Sequence, residues 1–278
     1  MPVLRLGAPS DLDARALVWG LHEGGWNDRL ALTVGTYRQL GEWLDARSID
    51  VALLSASEYA LRPEPFDVVP GLAISSDGHG SLCRLAHAGS LSDVTRLRGA
   101  SVGHAGEVLA PLLFAASGRR LPFEPFHDDP LMPLSPGEAR LLCGADALRA
   151  DELGVSLDLG DAWTRLTGKP FVWACWAAVP GRVDKSLYGL MHTVRSRGRH
   201  HLDRIAEEAS RGSTERKASI DRALQNIRYR LGRAELGGAT LFWSEALRHG
   251  LLPLPVNPRF LPLSAGASCH RDRRGQPT

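Results

Sequence analysis

Hydrophobic and polar positions alternate along the first part of the chain in a strand–helix–strand order. Short apolar runs bounded by polar turns predict strands, and apolar residues at three- and four-residue steps predict the helices between them. The predicted strands are residues 3–6, 30–34, 51–54, 68–74 and 81–85, and the predicted helices are 14–21 and 37–46. This alternation indicates an α/β fold with a mostly parallel sheet.

A second strand–helix set begins near residue 101. Its predicted elements are a helix at 107–116, an extended segment at 123–125, and strands at 139–142 and 167–177. From residue 185 onward the spacing of apolar positions becomes helical, which predicts helices at 187–209, 215–231 and 240–248. The polar tail after Pro262 is rich in Arg and Gly and is predicted to be loose.

The sequence contains two α/β sets followed by C-terminal helices. This order predicts two lobes joined by two chain crossings, near residues 83–88 and 177–183. One lobe would comprise residues 1–88 and 178–278, and the other residues 89–177. The arrangement resembles the type II periplasmic-binding-protein fold, in which a ligand binds in the cleft between the lobes.

Composition narrows the class of protein. The chain has 278 residues, 44% hydrophobic and 23% charged, which is ordinary for a globular protein with an ample core. The formal net charge of +2 gives no basic face of the kind that binds nucleic acid. The four cysteines have neither metal-ligand nor CxxC spacing, so we predict buried reduced thiols and no metal site.

The expected location is the cytoplasm. The sequence begins MPVLRLGAPSDLDA, which lacks the charged and apolar regions of a secretory signal. No apolar run is long enough to cross a bilayer. We therefore expect neither a membrane nor a nucleic acid as a partner.

Four segments have the character of ligand-binding turns, because each follows a predicted strand and opens a helix. They are residues 7–13, 55–58, 101–106 and 144–148. In open α/β sheets such turns lie at the ligand-binding edge, and their backbone N–H groups attract anions. No Walker A, GxGxxG, HExxH or GxSxG pattern is present to indicate a different chemistry.

The most specific motif is Thr-Gly-x-Pro-Phe-Val-x-Ala-x-Trp at residues 167–176. Together with residues 50–63 and 70–76, it resembles the chorismate dehydratases of the futalosine route of menaquinone biosynthesis. Weaker agreement at residues 225–250 extends this resemblance over most of the chain.

The resemblance implies a carbon–oxygen lyase that removes water from chorismate to give 3-[(1-carboxyvinyl)oxy]benzoate. Such an elimination needs a base, assistance to the departing hydroxyl and anchors for two carboxylates. It needs no metal or redox cofactor in principle, so none is expected. The implied partner is a small dicarboxylate substrate bound between the lobes.

The resemblance also implies site residues. Asp13 and Ser81 would orient the reacting ring and are the expected catalytic residues. The expected substrate-binding residues are Ser55, Ser57, His104, Ala105, Asp146, Thr167, Gly168 and Phe171. The chain departs from the family pattern at Asp13, where the family has Asn, and at His104-Ala105, where it has Thr-Ser.

Structural roles compete with these assignments. Asp13 and Asp146 could cap the helices that follow them, and Ser55 could form a capping box with Glu58. Phe171, like the tryptophans beside it, could belong to the core of a buried strand.

Two further functions stay open. The first is the sister enzyme, 1,4-dihydroxy-6-naphthoate synthase, which acts on a cyclic futalosine derivative. The second is a solute-binding protein or ligand sensor without catalysis, because the altered positions could leave binding alone. The substrate consumed discriminates among these functions.

Overall fold

Two β-sheets with flanking helices organise the computed structural model, which describes residues 3–23, 29–62, 66–80, 82–100 and 102–261. The strands are β1 Leu4–Ala8, β2 Leu30–Val34, β3 Val51–Ser55, β4 Asp67–Ser76, β5 Cys83–His87, β6 Arg96–Gly99, β7 Phe123–Pro125, β8 Glu138–Cys143, β9 Val155–Asp158, β10 Phe171–Ala178 and β11 Arg259–Phe260. The α-helices are α1 Arg15–Glu23, α2 Tyr37–Asp45, α3 Ala56–Ala60, α4 Gly106–Ala116, α5 Leu159–Thr167, α6 Lys185–His200, α7 Leu202–Ser210, α8 Thr214–Asn226 and α9 Arg233–Arg248. Short 3-10 helices lie at Leu91–Asp93 and Asp146–Glu152.

The first sheet has six strands in the order β11-β4-β10-β3-β1-β2. β1 pairs in parallel with β2 and β3, as the βαβ pattern predicts, but β10 runs antiparallel to both of its neighbours. The expected mostly parallel sheet is therefore a mixed one. Every residue of β10 is buried, which explains its continuous apolar sequence.

The second sheet has five strands in the order β7-β6-β8-β5-β9. β5 runs antiparallel to β8 and β9, whereas β6 is parallel to β7 and β8. The pairing of β5 with β8 places Cys83 directly opposite Cys143. This register brings two distant segments of the sequence into the same place.

Sheet membership corrects the expected lobe boundaries at two strands. β5 was expected with the first lobe but pairs within the second sheet, and β10 was expected with the second lobe but pairs with β3 and β4. The chain therefore passes between the sheets before β5 and again before β10, earlier than the predicted crossings. The cause is strand pairing, which local hydrophobic patterns do not encode.

The C-terminal helices differ from the predicted spans at their ends. The predicted helix at 187–209 is divided into α6 and α7, and the one at 215–231 ends at Asn226. Ile227 adopts an extended backbone, and Arg228 exchanges backbone hydrogen bonds of 2.8 and 2.9 Å with Ser75 of β4. Pairing with the sheet edge thus replaces the last helical turn and places Tyr229 in the interior.

Candidate functional site

A cavity of about 800 Å³ opens between the two sheets and is walled on one side by α7 and α8. Ser10 and Asp11 line it from the turn after β1, and Cys143 and Gly144 line it from the end of β8. Both turns lie at the carboxyl ends of their strands, which is where α/β sheets bind ligands. The cavity is therefore the candidate binding cleft.

The cavity wall is rich in arginine. Its arginines are Arg15, Arg149, Arg211 and Arg216. Carboxylates share the wall, and one of them, Glu152, pairs with Arg149 at 2.7 Å. The wall carries five carboxylates against four arginines and is therefore not cationic as a whole. Guanidinium groups bind carboxylates in a bidentate geometry, so individual arginines of this wall can hold an anionic group. None of these arginines was among the site residues that we expected from the sequence.

Asp13 lies in the turn between β1 and α1 and is only 5% exposed. Burial raises its pKa to about 7, with a further increase from the neighbouring carboxyl of Asp11, while His104 lowers it. The Oδ1 atom of Asp13 makes no hydrogen bond within the part of the chain that the structure describes. A buried carboxyl that stays protonated to nearly neutral pH can donate a proton or a hydrogen bond.

His104 lies in the loop before α4 and is 4% exposed. Burial disfavours its charged form, but Cys143, Asp11 and Asp13 raise its pKa, to about 10. The backbone N–H of Gly106 donates to His104 Nδ1 at 3.0 Å, and a doubly protonated ring cannot accept such a bond. The Gly106 contact requires a neutral ring with its proton on Nε2, which conflicts with the raised pKa, and charging the ring would break that contact.

Two tyrosines extend this buried polar cluster. Tyr37 and Tyr229 are each almost fully buried, and neither hydroxyl has a hydrogen-bond partner among the described residues. Burial, and then the charge of Asp13, raises the pKa of each tyrosine well above its usual value, so both remain neutral donors. Buried polar groups are nearly always hydrogen-bonded in proteins, so these two hydroxyls and the Asp13 Oδ1 atom together indicate a site for a polar ligand or water.

Aromatic rings enclose His104. Tyr37 meets the imidazole edge-on with ring centroids 5.7 Å apart, and Trp173 lies against it at 5.8 Å. The indole N–H of Trp173 donates to Ser76 Oγ at 2.9 Å, which fixes the ring. Trp173, rather than Phe171, is thus the aromatic residue of β10 that contacts the cluster.

Ser55 and Ser57 lie at the start of α3, close to the loop that carries His104. Ser55 Oγ accepts from the Glu58 N–H at 3.0 Å and lies 2.6 Å from the carbonyl oxygen of Gly103, to which it donates. The two serine Oγ atoms are 3.0 Å apart. Ser55 is therefore the predicted helix cap, but the Glu58 side chain pairs with Arg62 at 2.7 Å instead of completing a capping box.

Two other expected residues lie at helix starts. Ala105 is buried and immediately precedes α4, where it can offer only its backbone. Asp146 lines the cavity as the first residue of a 3-10 helix, and burial raises its pKa. The position before it, Ala145, provides no side-chain cap, so Asp146 is not the helix cap that its sequence position allowed.

The expected site residues in the Thr-Gly-x-Pro motif make local hydrogen bonds and packing contacts. Thr167 Oγ1 donates to the Trp163 carbonyl at 2.8 Å and accepts from the Lys169 N–H at 3.2 Å. Gly168 ends α5 with a left-handed φ of 67°, a conformation that favours glycine. Phe171 is fully buried, with its ring centroid 5.0 Å from that of Phe242. These contacts give all three residues a structural role.

Ser81 lies outside the described residues, so its expected catalytic role stays a prediction. Besides the cavity arginines, sequence reasoning missed Tyr37, Tyr229, Cys83 and Cys143. Hydrophobic spacing placed Tyr37 at a helix start and Tyr229 in a helix, with no signal that either hydroxyl would be buried beside Asp13.

Comparison with known proteins agrees with the architecture. A family model described as "Menaquinone biosynthesis" matches residues 4–247. Protein AF1704 from Archaeoglobus fulgidus superposes with a TM-score of 0.71 at 19% identity, covering 90% of this chain and 98% of that one.

Two more distant structures share the same fold. The periplasmic aliphatic sulphonate binding protein SsuA from Escherichia coli gives a TM-score of 0.63 at 14% identity, covering 92% of this chain and 96% of its own. The Candida albicans CA3427 gene product, described as having the generic periplasmic binding protein fold, gives 0.59 at 12% identity, with 92% of each chain covered. The expected two-lobed fold is therefore confirmed. Of the helices in the described part of the chain, none is long and apolar enough to span a membrane.

Proposed function

The chain belongs to the menaquinone-biosynthesis family, and we propose that it is a chorismate dehydratase whose cleft lies around Asp13. The product would be 3-[(1-carboxyvinyl)oxy]benzoate. The observation that carries the proposal is the buried carboxyl of Asp13, whose pKa burial raises to about 7 and whose turn also carries Asp11, a residue that lines the cavity together with four arginines.

The arginine-lined wall supports a dicarboxylate as the substrate. Chorismate carries two carboxylates on a small ring system, and a cavity of about 800 Å³ is large enough to enclose it. Arg15 and Arg216 reach the cavity from α1 and α8 and are the proposed anchors. Ser57 and His104 are proposed to bind the hydroxyl and carboxylate groups deeper in the cleft.

The proposed reaction requires the protein mainly to position the substrate and to protonate the departing hydroxyl. A ring C–H bond breaks next to the hydroxyl-bearing carbon, the C–O bond breaks, and the ring becomes aromatic. The proton from carbon passes to the substrate's own carboxylate, and Asp13 donates its proton to the departing hydroxyl, which leaves as water. Asp13 then regains the proton from that carboxylate, so the cycle balances.

Aromatic and apolar surroundings support the elimination by excluding bulk water. Trp173 and Tyr37 flank His104, and the unpartnered hydroxyls of Tyr37 and Tyr229 are proposed to hydrogen-bond the reacting ring. In a dry site such fixed dipoles stabilise developing charge more strongly than water does. Ser81 is proposed to contact the ring as the family pattern implies.

The test is incubation of the purified protein with chorismate, followed by chromatography with mass detection. We expect a product lighter by one water that has the absorbance of a 3-substituted benzoate. Saturable thermal stabilisation by chorismate without turnover would contradict catalysis and indicate a binding protein. If neither response occurs, turnover of the cyclic futalosine derivative would identify the sister synthase instead.

A further inference from the structure

Two cysteines and His104 converge at the inner end of the cleft. Cys83 Sγ lies 3.8 Å from Cys143 Sγ and 3.9 Å from His104 Nδ1. One ligand atom from each of the three residues lies within 4.8 Å of the others. The sequence spacing of these residues gives no hint of the cluster, because the β5–β8 register and the loop before α4 create it.

We propose that Cys83, Cys143 and His104 form a binding site for a thiophilic divalent metal ion, Zn²⁺ above all. A tetrahedral zinc ion with Zn–S bonds of about 2.3 Å holds two sulfur ligands roughly 3.8 Å apart, and a sulfur and an imidazole nitrogen roughly 3.6 Å apart. The observed S···S separation of 3.8 Å already fits, and the S···N separation of 3.9 Å needs a shift of a few tenths of an ångström.

Charge balance favours zinc at this buried position. Two thiolates neutralise a divalent cation, so the loaded site with a neutral imidazole would carry no net charge into the interior. Cys83 is 1% exposed, and Cys143 lines the cavity, which provides a route for the ion to enter. Coordination through Nδ1 would replace the bond that His104 now accepts from the Gly106 N–H.

The surrounding packing fits a crowded ligand cluster. A Cβ atom on Gly106 would lie 2.6 Å from Cys83 Sγ and 3.1 Å from His104 Nδ1, so only glycine leaves room there. Three protein ligands leave a fourth tetrahedral position, as in catalytic zinc sites.

The zinc site goes beyond the proposed dehydration, and its test uses no chorismate, so the two can fail separately. The full-length protein is purified with a phosphine reductant, stripped with a chelator, and titrated with Zn²⁺ or Co²⁺. We expect one ion per chain, with the near-ultraviolet charge-transfer absorption of cobalt bound to thiolates. Cobalt spectra without thiolate bands, or no stoichiometric binding, would overturn the proposal.

Substitutions locate the site. Cys83→Ser, Cys143→Ser and His104→Gln should each weaken zinc binding by on the order of 100-fold, since even outer-shell changes at zinc sites cost 10–100-fold. Cys175→Ser is the matched control, because Cys175 is equally buried but lies in the first sheet. Loss of binding in the control, or unchanged binding in all three variants, would contradict the assignment.

Proton release gives an independent readout that does not depend on the variants. Cysteine thiols are mostly protonated near neutral pH, whereas zinc binds them as thiolates. Binding of zinc as a dithiolate must then release about two protons per ion. Calorimetry in buffers of different ionisation enthalpy measures this number, and a value near zero would refute thiolate coordination.

Discussion

Replacement of Asp13 by asparagine should stabilise the protein, and only above about pH 4. In the folded state burial raises the pKa of Asp13 from 3.8 to about 7. Between these values the folded protein holds a proton that the unfolded chain releases, so the free energy of unfolding falls as pH rises. Asparagine has nearly the same shape and no ionisation, and therefore escapes this loss.

The size of the stability difference follows from the interval between the pKa values of Asp13 in the unfolded and folded states. A difference of about three pH units corresponds to about 4 kcal/mol once both states are fully ionised, which we take as an upper limit because Asp11 and His104 share the charge. At pH 4 the variant and the parent should have nearly equal stability. At pH 8 the variant should be more stable by about 2–4 kcal/mol.

Urea denaturation at a series of pH values measures the effect. The control is Asp203→Asn, which removes an exposed carboxylate near the start of α7. The control should change stability by less than about 0.5 kcal/mol, because its side chain is exposed. A stability difference for Asp13→Asn that does not vary with pH would refute the assignment of a raised pKa to this carboxyl.

Two stability predictions concern packing and buried charge. Gly198→Ala should destabilise by about 3 kcal/mol or more, because its Cβ would lie 1.8 Å from a backbone oxygen of α1, whereas Gly189→Ala in the same helix has open space and should stabilise by about 0.5–1 kcal/mol. Equal urea midpoints for these two variants would contradict the close helix contact. Arg140→Met should cost about 3 kcal/mol because it removes the closer of the two guanidiniums that pair with fully buried Glu138 and leaves only Arg98 at 3.9 Å, and Glu138→Gln added to it should restore part of the loss. A double variant no more stable than Arg140→Met would argue against an uncompensated charge.

Local sequence patterns were sufficient to predict the helices and strands whose signals lie within a single segment of the chain. The α2 helix begins with a capping box at Thr36 and Gln39 and ends at Asp45, within one residue of the predicted end. The apolar segment 167–177 was predicted to be a buried strand, and β10, which begins at Phe171, is buried throughout. Both signals are carried by neighbouring residues, so no tertiary information was needed.

Pairing between distant segments determined the structural features that local sequence patterns did not predict. Residues 227–231 have helical spacing, but the backbone of Arg228 pairs with Ser75, and Tyr229 is thereby buried where the charge of Asp13 affects its pKa. Strand register likewise placed Cys83 opposite Cys143 across sixty positions of sequence. No periodicity links such residues.

The candidate site was predicted in part. Asp13 and His104 were expected from the family resemblance, and they lie in one buried polar cluster. Thr167 and Phe171 belong to the most specific motif in the sequence, yet their contacts are those of a helix end and an aromatic core. A conspicuous motif can therefore mark the packing that supports a site as well as the residues within it.

A single-turnover rate measures whether chorismate loses water beside Asp13. Excess protein is mixed with chorismate, and formation of 3-[(1-carboxyvinyl)oxy]benzoate is followed for the parent chain, Asp13→Ala and the exposed control Asp203→Ala. Removal of a group that donates a proton in the rate-limiting step typically costs on the order of 10²–10⁴-fold. We predict such a loss for Asp13→Ala alone. Full turnover by Asp13→Ala would contradict the account.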